Sequence, residues 1–133
     1  MTKRYSAREL IDLVVDEGTF ESWDTEPITP AAGISEEYAA ELAAAREKSG
    51  ADEAILTGEG RVRGRRVAIV ASEFRFLAGS IGIAAAERLT SAIERATAEG
   101  LPLLAGPASG GTRMQEGTVA FLSMVKILSL IHI

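Results

Sequence analysis

The sequence predicts an α/β fold, in the order helix, helix, strand–strand, helix, strand, glycine loop, helix. Three observations carry this. Apolar residues recur at helical spacing in four stretches. Between Glu53 and Phe76 the spacing changes to that of strands. Glycine and proline fall at the joints between these stretches.

The first helix is expected from about Ala7 to Glu17. Ser6 and Glu9 stand at capping-box spacing, so each can satisfy the other's backbone N–H. Leu10, Ile11, Val14 and Val15 make its apolar side, and Gly18 is its expected C′ residue. Trp23 to Gly33 contains Pro27 and Pro30 and reads as loop or linker. Ser35 then caps a second helix, with Glu36 and Glu37 where the helix dipole favours acids. Tyr38, Leu42 and Ala45 form its stripe, Lys48 lies in its last turn and Gly50 ends it.

Ala54-Ile55-Leu56 and Val67-Ala68-Ile69-Val70 are strand-like, and Arg63-Gly64 between them predicts a hairpin. Phe76 to Gly82 breaks the second strand. A third helix should run from Ser80 or Ile81 to Glu99, burying Ile81, Ala85, Leu89, Ile93 and Ala96. Leu101 to Ala105 is a short, wholly apolar strand that should be buried. It leads into Pro107-Ala108-Ser109-Gly110-Gly111. A fourth helix is expected to start near Arg113 to Glu116 and to continue through Val119, Leu122 and Val125. Two regions follow: residues 1–50, an N-terminal helical segment, and residues 51–133, the start of a larger core.

The 133 residues are 47% apolar and 25% charged, which is globular composition. A net charge of −5 and a pI near 4.9 lack the basic footprint of a nucleic-acid binder. No run approaches the roughly 20 apolar residues of a membrane helix; Lys126 interrupts the apolar end of the chain. With no cysteine there is no disulfide, thiolate metal site or cysteine nucleophile. No spacing of acids suggests a metal site, and a cytoplasmic location is expected. His132 is the single histidine and stands next to the last residue, which argues against a Ser-His-Asp triad. Catalysis here would therefore rely on backbone donors.

Two glycine motifs are placed for that. Ser109-Gly110-Gly111 lies between a strand and a helix, where N–H groups and the helix dipole can stabilise an oxyanion. From local sequence alone a plain strand-to-helix turn is the simpler reading. Ala78-Gly79-Ser80-Ile81-Gly82 can hold a phosphate or adenine, or be a tight turn with Ser80 as cap. Arg61, Arg63, Arg65 and Arg66 can attract phosphates or simply keep a hairpin soluble. Arg113 either pairs with Glu116 across a turn or contacts a ligand carboxylate.

Together these motifs resemble the acyl-CoA carboxyltransferase family, which includes the beta subunit of bacterial acetyl-CoA carboxylase carboxyltransferase. Four stretches carry the resemblance in the family's order. They are Ser6 to Asp12 with Asp16 to Phe20; Tyr38 to Ala45 with Lys48 to Ala54; Glu73 to Gly82; and Ala108 to Gly117. The last is long and specific, and coverage runs from about Ser6 to Lys126. Three departures stand out: Ala78 where the family has glycine, Thr112 where it has alanine, and no second Gly-Gly element or four-cysteine zinc ribbon.

The resemblance implies a crotonase-like (ClpP/crotonase) spiral of ββα units, here incomplete. It implies carboxyl transfer from carboxybiotin, held on a separate carrier protein, to acetyl-CoA or propionyl-CoA. The product would be malonyl-CoA or methylmalonyl-CoA, with fatty acid biosynthesis as the setting. Partners would be a biotin carboxyl carrier protein, a biotin carboxylase and a second carboxyltransferase half, in an oligomer. Gly110 and Gly111 would hold the thioester oxygen, and Gly79, Ser80, Gly82 and Arg113 would contact coenzyme A. A malonate-decarboxylase-type subunit and a non-catalytic fragment are the alternatives. Leu128 to Ile133 departs from the family and reads as foreign sequence, so the chain is expected to be a fragment, inactive and poorly stable alone.

Overall fold

The structure is a computed structural model that describes residues 4–30 and 33–131. His132 and Ile133 lie outside the described residues, so the expectations about His132 and the last of the tail are not addressed by it.

Helix α1 (Ala7–Val14) opens with the expected capping box: Glu9 N–H donates to Ser6 Oγ and Ser6 N–H to the Glu9 carboxylate, both at 3.1 Å. It ends three residues sooner than its apolar spacing suggests. Asp16 is drawn away by the hairpin, where its carboxylate accepts from the N–H groups of Arg63 (3.0 Å) and Gly64 (2.8 Å). Gly18 therefore sits in a tight turn closed by Thr19 N–H on the Asp16 carbonyl, not at a helix C′ position. Strand β1 (Glu21–Ser22), too short to show a period, pairs antiparallel with the next strand. Helix α2 (Glu36–Ser49) is capped by Ser35 and stopped by a left-handed Gly50, as the sequence predicts.

Strands β2 (Ile55–Val62) and β3 (Arg65–Ser72) form the hairpin. Arg63 and Gly64, at φ 51° and 80°, make the two-residue turn with positive φ at both positions that suits strand twist. Helix α3 (Ile83–Glu99) crosses back, and β4 (Leu103–Gly106) then pairs parallel with β3, giving a sheet in the order β1-β2-β3-β4. That is one ββα unit followed by the first strand of the next step.

The period of two along β3 sends neighbouring residues to opposite faces. Ile69 and Ala71 meet Ala7, Ile11 and Val15 on one side; Val70 meets Ile55, Ala85 and Ala92 on the other. Helix α1 and Val15 thus share the sheet's core, while Ala45 of α2 packs with Ala54 and Phe76 in a separate cluster. Helix α3 buries more than the predicted stripe: Ala84, Ala86, Ala92 and Arg88 are buried with Ala85 and Ala96, while Leu89 and Ile93 are half-buried. Arg88 is tied down by Asp52 (2.7 and 2.9 Å) and by the carbonyls of Thr25 (2.8 Å) and Ile55 (2.9 Å).

Two expectations fail at the end of the chain. Strand β4 is exposed, not buried, with Leu103 and Leu104 about two-fifths open, because β3 covers only one of its edges. A 3-10 turn (Met114–Glu116) precedes helix α4 (Gly117–Ile131), and the left-handed Gly117 between them delays the helix. Helix α4 buries Ala120 and Ile127, leaving Val119, Leu122 and Val125 exposed. The helix is apolar on more than one side, so spacing alone could not say which side meets α3. Among the described residues, no helix is long and apolar enough to cross a membrane.

Candidate functional site

Beyond β3 the chain makes a left-handed turn, with Leu77, Ala78 and Gly79 at φ 46°, 55° and 67°. Left-handed backbone costs a residue with a Cβ roughly 1–2 kcal/mol. Ala78 pays this where glycine would not. Gly79 has no alternative: a Cβ there would run into the Ala108 carbonyl of the loop crossing above it.

The two glycine motifs, read separately in the sequence, are laced together. Gly110 N–H donates to the Ala78 carbonyl at 2.9 Å. Ile81 N–H donates to the Gly111 carbonyl at 2.8 Å, and Arg113 N–H to the Ile81 carbonyl at 2.9 Å, forming a parallel bridge between Ile81 and Thr112. Ser80 does not cap α3; Gly82 takes that position. The Ile83 N–H at this helix start donates to Glu116 Oε1 at 2.7 Å, so a carboxylate of the chain itself occupies the place foreseen for a phosphate. A Cβ at Gly82 would strike that same carboxylate.

Arg113 explains why the two motifs hold together. It is 1% exposed. Its Nη1 donates to Glu53 (3.1 Å), Glu116 (3.2 Å) and the Tyr38 hydroxyl (3.3 Å). Nη2 donates to the other Glu53 oxygen and, at 2.8 Å, to the Ser80 carbonyl; Nε reaches Ser80 Oγ at 3.2 Å. The Phe76 ring lies under it, 5.4 Å away. Glu116 also accepts from the Tyr38 hydroxyl. Burial pulls the Arg113 pKa down, but hydrogen bonding and charge from Glu53 outweigh it and the net shift is upward. Burial pushes the Tyr38 hydroxyl up to about 12, and the Glu116 carboxylate adds to that.

The structure thus brings Gly79, Ser80, Gly82, Gly110, Gly111 and Arg113 into one cluster. It places Arg113 and Gly82 behind the loop, on partners within the chain. Gly111 lies on the open side, exposed, with its N–H on Ser109 Oγ at 3.0 Å. The N–H of Thr112 has no hydrogen-bond partner among the described residues. The hairpin arginines lie elsewhere: Arg61 bonds the Gly64 carbonyl (2.8 Å) and Arg66 pairs with Glu59 and Glu99. Sequence reading missed Glu53 and took Tyr38 only as an apolar contact. Glu53 is one of 19 acids, and nothing local marks it as the one that is buried.

Comparison with known proteins bears on this arrangement. The model of the carboxyl transferase domain matches residues 3–130. The chain is 64% identical over 130 residues to the probable biotin-dependent acyl-coenzyme A carboxylase beta3 subunit of Mycobacterium tuberculosis, covering 98% of this chain and 26% of that one. It is 43% identical over 120 residues to the acetyl-coenzyme A carboxylase carboxyl transferase subunit beta of Rubrobacter xylanophilus, covering 90% of this chain and 47% of that one. The chain therefore spans between about a quarter and half the length of these relatives. Among solved structures, transcarboxylase 12S superposes with a TM-score of 0.79 at 23% identity over 96% of this chain and 23% of its own. A Pseudomonas malonate decarboxylase hetero-dimer gives 0.68 at 20% identity, over 96% and 46%. These last two likenesses establish the fold, the α/β crotonase-like one that the motifs implied. Together with the match across residues 3–130, they lead to one conclusion: the chain belongs to the carboxyl transferase domain family.

Proposed function

We propose that this chain supplies the acyl-CoA side of a biotin-dependent carboxyltransferase, with acetyl-CoA or propionyl-CoA as acceptor. The observation that carries the reading is the loop at Gly111 and Thr112. It presents one backbone N–H without a partner beside another held only by an exposed serine hydroxyl. Two such donors fit an oxyanion that forms on a thioester when its α-carbon is deprotonated. Gly110 serves this pair from behind, because its own N–H is engaged by Ala78. The donor pair is therefore Gly111 and Thr112, in place of Gly110 and Gly111. Arg113 acts as a positioning residue for the loop, not as a contact to coenzyme A.

Biotin, on its carrier protein, supplies the carboxyl group and the base for the α-proton. The donor pair at Gly111 and Thr112 suits the thioester oxygen, and no biotin contact is derived from the described residues. What the chain contributes is orientation and charge stabilisation. The loop is braced by the Ala78 and Ile81 contacts, so little reorganisation is needed as charge develops. A cytoplasmic setting, malonyl-CoA or methylmalonyl-CoA as product, and partnership with a biotin carboxylase, a carrier and a second carboxyltransferase half belong to the same reading.

The test is transfer of labelled carboxylate from bicarbonate to acyl-CoA by the purified protein combined with biotin carboxylase, carrier and the second carboxyltransferase half. Thr112→Pro, which deletes the free N–H, should lower kcat about 10²–10³-fold, the cost of one oxyanion donor, with KM for acyl-CoA little changed. Unlabelled acyl-CoA with the unaltered protein, or full activity in a folded Thr112→Pro variant, would overturn the reading.

A further inference from the structure

Two buried arginines, Arg88 and Arg113, meet at the same short bend. The bend, Asp52 to Ala54, leads into β2. Arg113 takes the Glu53 carboxylate, whose Oε2 accepts from Nη1 at 3.1 Å. Arg88 takes what stands on either side of Glu53. Its Nη1 and Nη2 donate to the Asp52 oxygens at 2.9 and 2.7 Å, and Nη1 also donates to the Ile55 carbonyl at 2.9 Å. A guanidinium can do this because its donors form a rigid, planar fork. Glu53, 3% exposed, is thus pinned on both sides, and its own Oε1 accepts from Ala54 N–H at 2.7 Å.

The contacts close a ring. It leaves α3 at Arg88 and passes through Asp52 and Glu53 to Arg113, then to Glu116, 3.2 Å away. Glu116 accepts from Ile83 N–H at 2.7 Å, which returns the ring to the first residue of α3. Arg88 and Ile83 are about 7.5 Å apart along the helix axis. One helix therefore fixes both ends of the bracing around Arg113. Thr112, one of the two candidate donors, is the residue before Arg113. Arg88 also ties down the segment ahead of α2: Nη2 donates to the Thr25 carbonyl at 2.8 Å, and Nε stands 3.5 Å from the Asp24 carboxylate.

We propose that Arg88 is a positioning residue for carboxyl transfer, setting the oxyanion donor at Thr112 through the Asp52-Glu53 bend and Arg113. The inference rests on the donor-pair reading above and adds to it a residue outside the loop. Among the described residues, none of the Arg88 hydrogen bonds reaches the loop, so its effect is on geometry alone. A donor displaced by about 1 Å costs a site up to about 10²-fold in turnover. Lysine at this position keeps the charge but carries it on a single nitrogen, which cannot hold both sides of Glu53.

The test pairs hydrogen exchange at single amides of the 133-residue chain, read by NMR, with the transfer assay above. Arg88→Lys should lower kcat about tenfold and leave KM for acyl-CoA within about twofold. The Ile81 and Arg113 amides, which lace the two glycine turns, should exchange about tenfold faster, while the Val15 amide at the end of α1 keeps its rate. Asp52→Asn should move the same readouts in the same direction; its side chain is half open to water, so the variant folds even where Arg88→Lys does not. Ile11→Val, packed on the other face of the sheet, weakens the core without touching the ring and should leave kcat and the loop amides unchanged. Loop amides that keep their rate in Arg88→Lys and Asp52→Asn overturn the proposal, whatever the assay gives. An Ile11→Val variant that loses as much kcat as Arg88→Lys also overturns it, since the effect is then one of stability alone. Faster exchange with kcat unchanged overturns the part of Arg88 in the reaction, and Thr112→Pro decides the donor pair separately. An unaltered protein that transfers no carboxylate overturns the function proposed above, while the exchange rates still decide whether Arg88 sets the loop.

Discussion

Glu53→Gln should destabilise the chain by about 3 kcal/mol. Arg113 and Glu53 are 1% and 3% exposed, so the pair is shielded from water almost completely. Removing one partner of a buried pair costs about 3–5 kcal/mol, since the other charge is left without compensation. The low end applies, because Glu116 still stands 3.2 Å from the Arg113 guanidinium. A chain of this size holds about 7–20 kcal/mol in total, so the loss is large. With a urea dependence of about 2 kcal/mol/M, the midpoint should fall by about 1.5 M. Thermal melting should drop by about 10 °C. Fluorescence of Trp23, the single tryptophan, reports the transition in urea. In a double-mutant cycle with Arg113→Met, the two changes should fall short of additivity by at least about 1.5 kcal/mol. A Glu53→Gln cost under about 1 kcal/mol, or simple additivity, would show that the pair is solvated and does not brace the loop.

Other outcomes follow from the same geometry. Gly79→Ala should cost more than the roughly 1–2 kcal/mol of left-handed strain, because its methyl meets the Ala108 carbonyl, whereas at Gly110 a Cβ would stand 3.4 Å from the Ala78 carbonyl; urea midpoints of the two alanine variants should rank accordingly. Ala78→Gly should stabilise by up to about 1 kcal/mol, the strain relieved exceeding the entropy gained by the unfolded chain, seen as a higher midpoint. The Tyr38 pKa rises from 10.0 to about 12 on folding. A raised pKa means its contribution is intact below pH 10 and is lost as pH climbs through about 12. At about 1.4 kcal/mol per unit the loss is at most about 3 kcal/mol. The stability difference between the unaltered chain and Tyr38→Phe should therefore shrink over that window.

Local chemistry made much of the fold legible. The capping box at Ser6 and Glu9, the Ser35 cap, the Gly50 stop and the Arg63-Gly64 turn are all settled within a few residues, where propensity and hydrogen bonding act unaided. The glycine motifs and their family resemblance were legible too, because a turn that needs φ > 0 or a close approach leaves few residue choices. Which way an apolar surface faces was not. Helix α4 is apolar on more than one side and strand β4 throughout, and only their neighbours decide that Ala120 is buried while Leu122 and Leu104 stay open.

The candidate site divides in the same way. The sequence alone determined that Gly79 and Gly110 lie in glycine turns. Only the tertiary structure decided that the two turns lace together, that Glu116 fills the start of α3, and that Arg113 with Glu53 and Tyr38 braces the loop from behind. Those contacts join residues thirty or more positions apart, and a charge looks the same in sequence whether it ends in water or beneath a loop. Burial is a property of the packed neighbours, and it put an arginine read either as a partner of Glu116 or as a ligand contact behind the glycine loop, paired with Glu116 and Glu53.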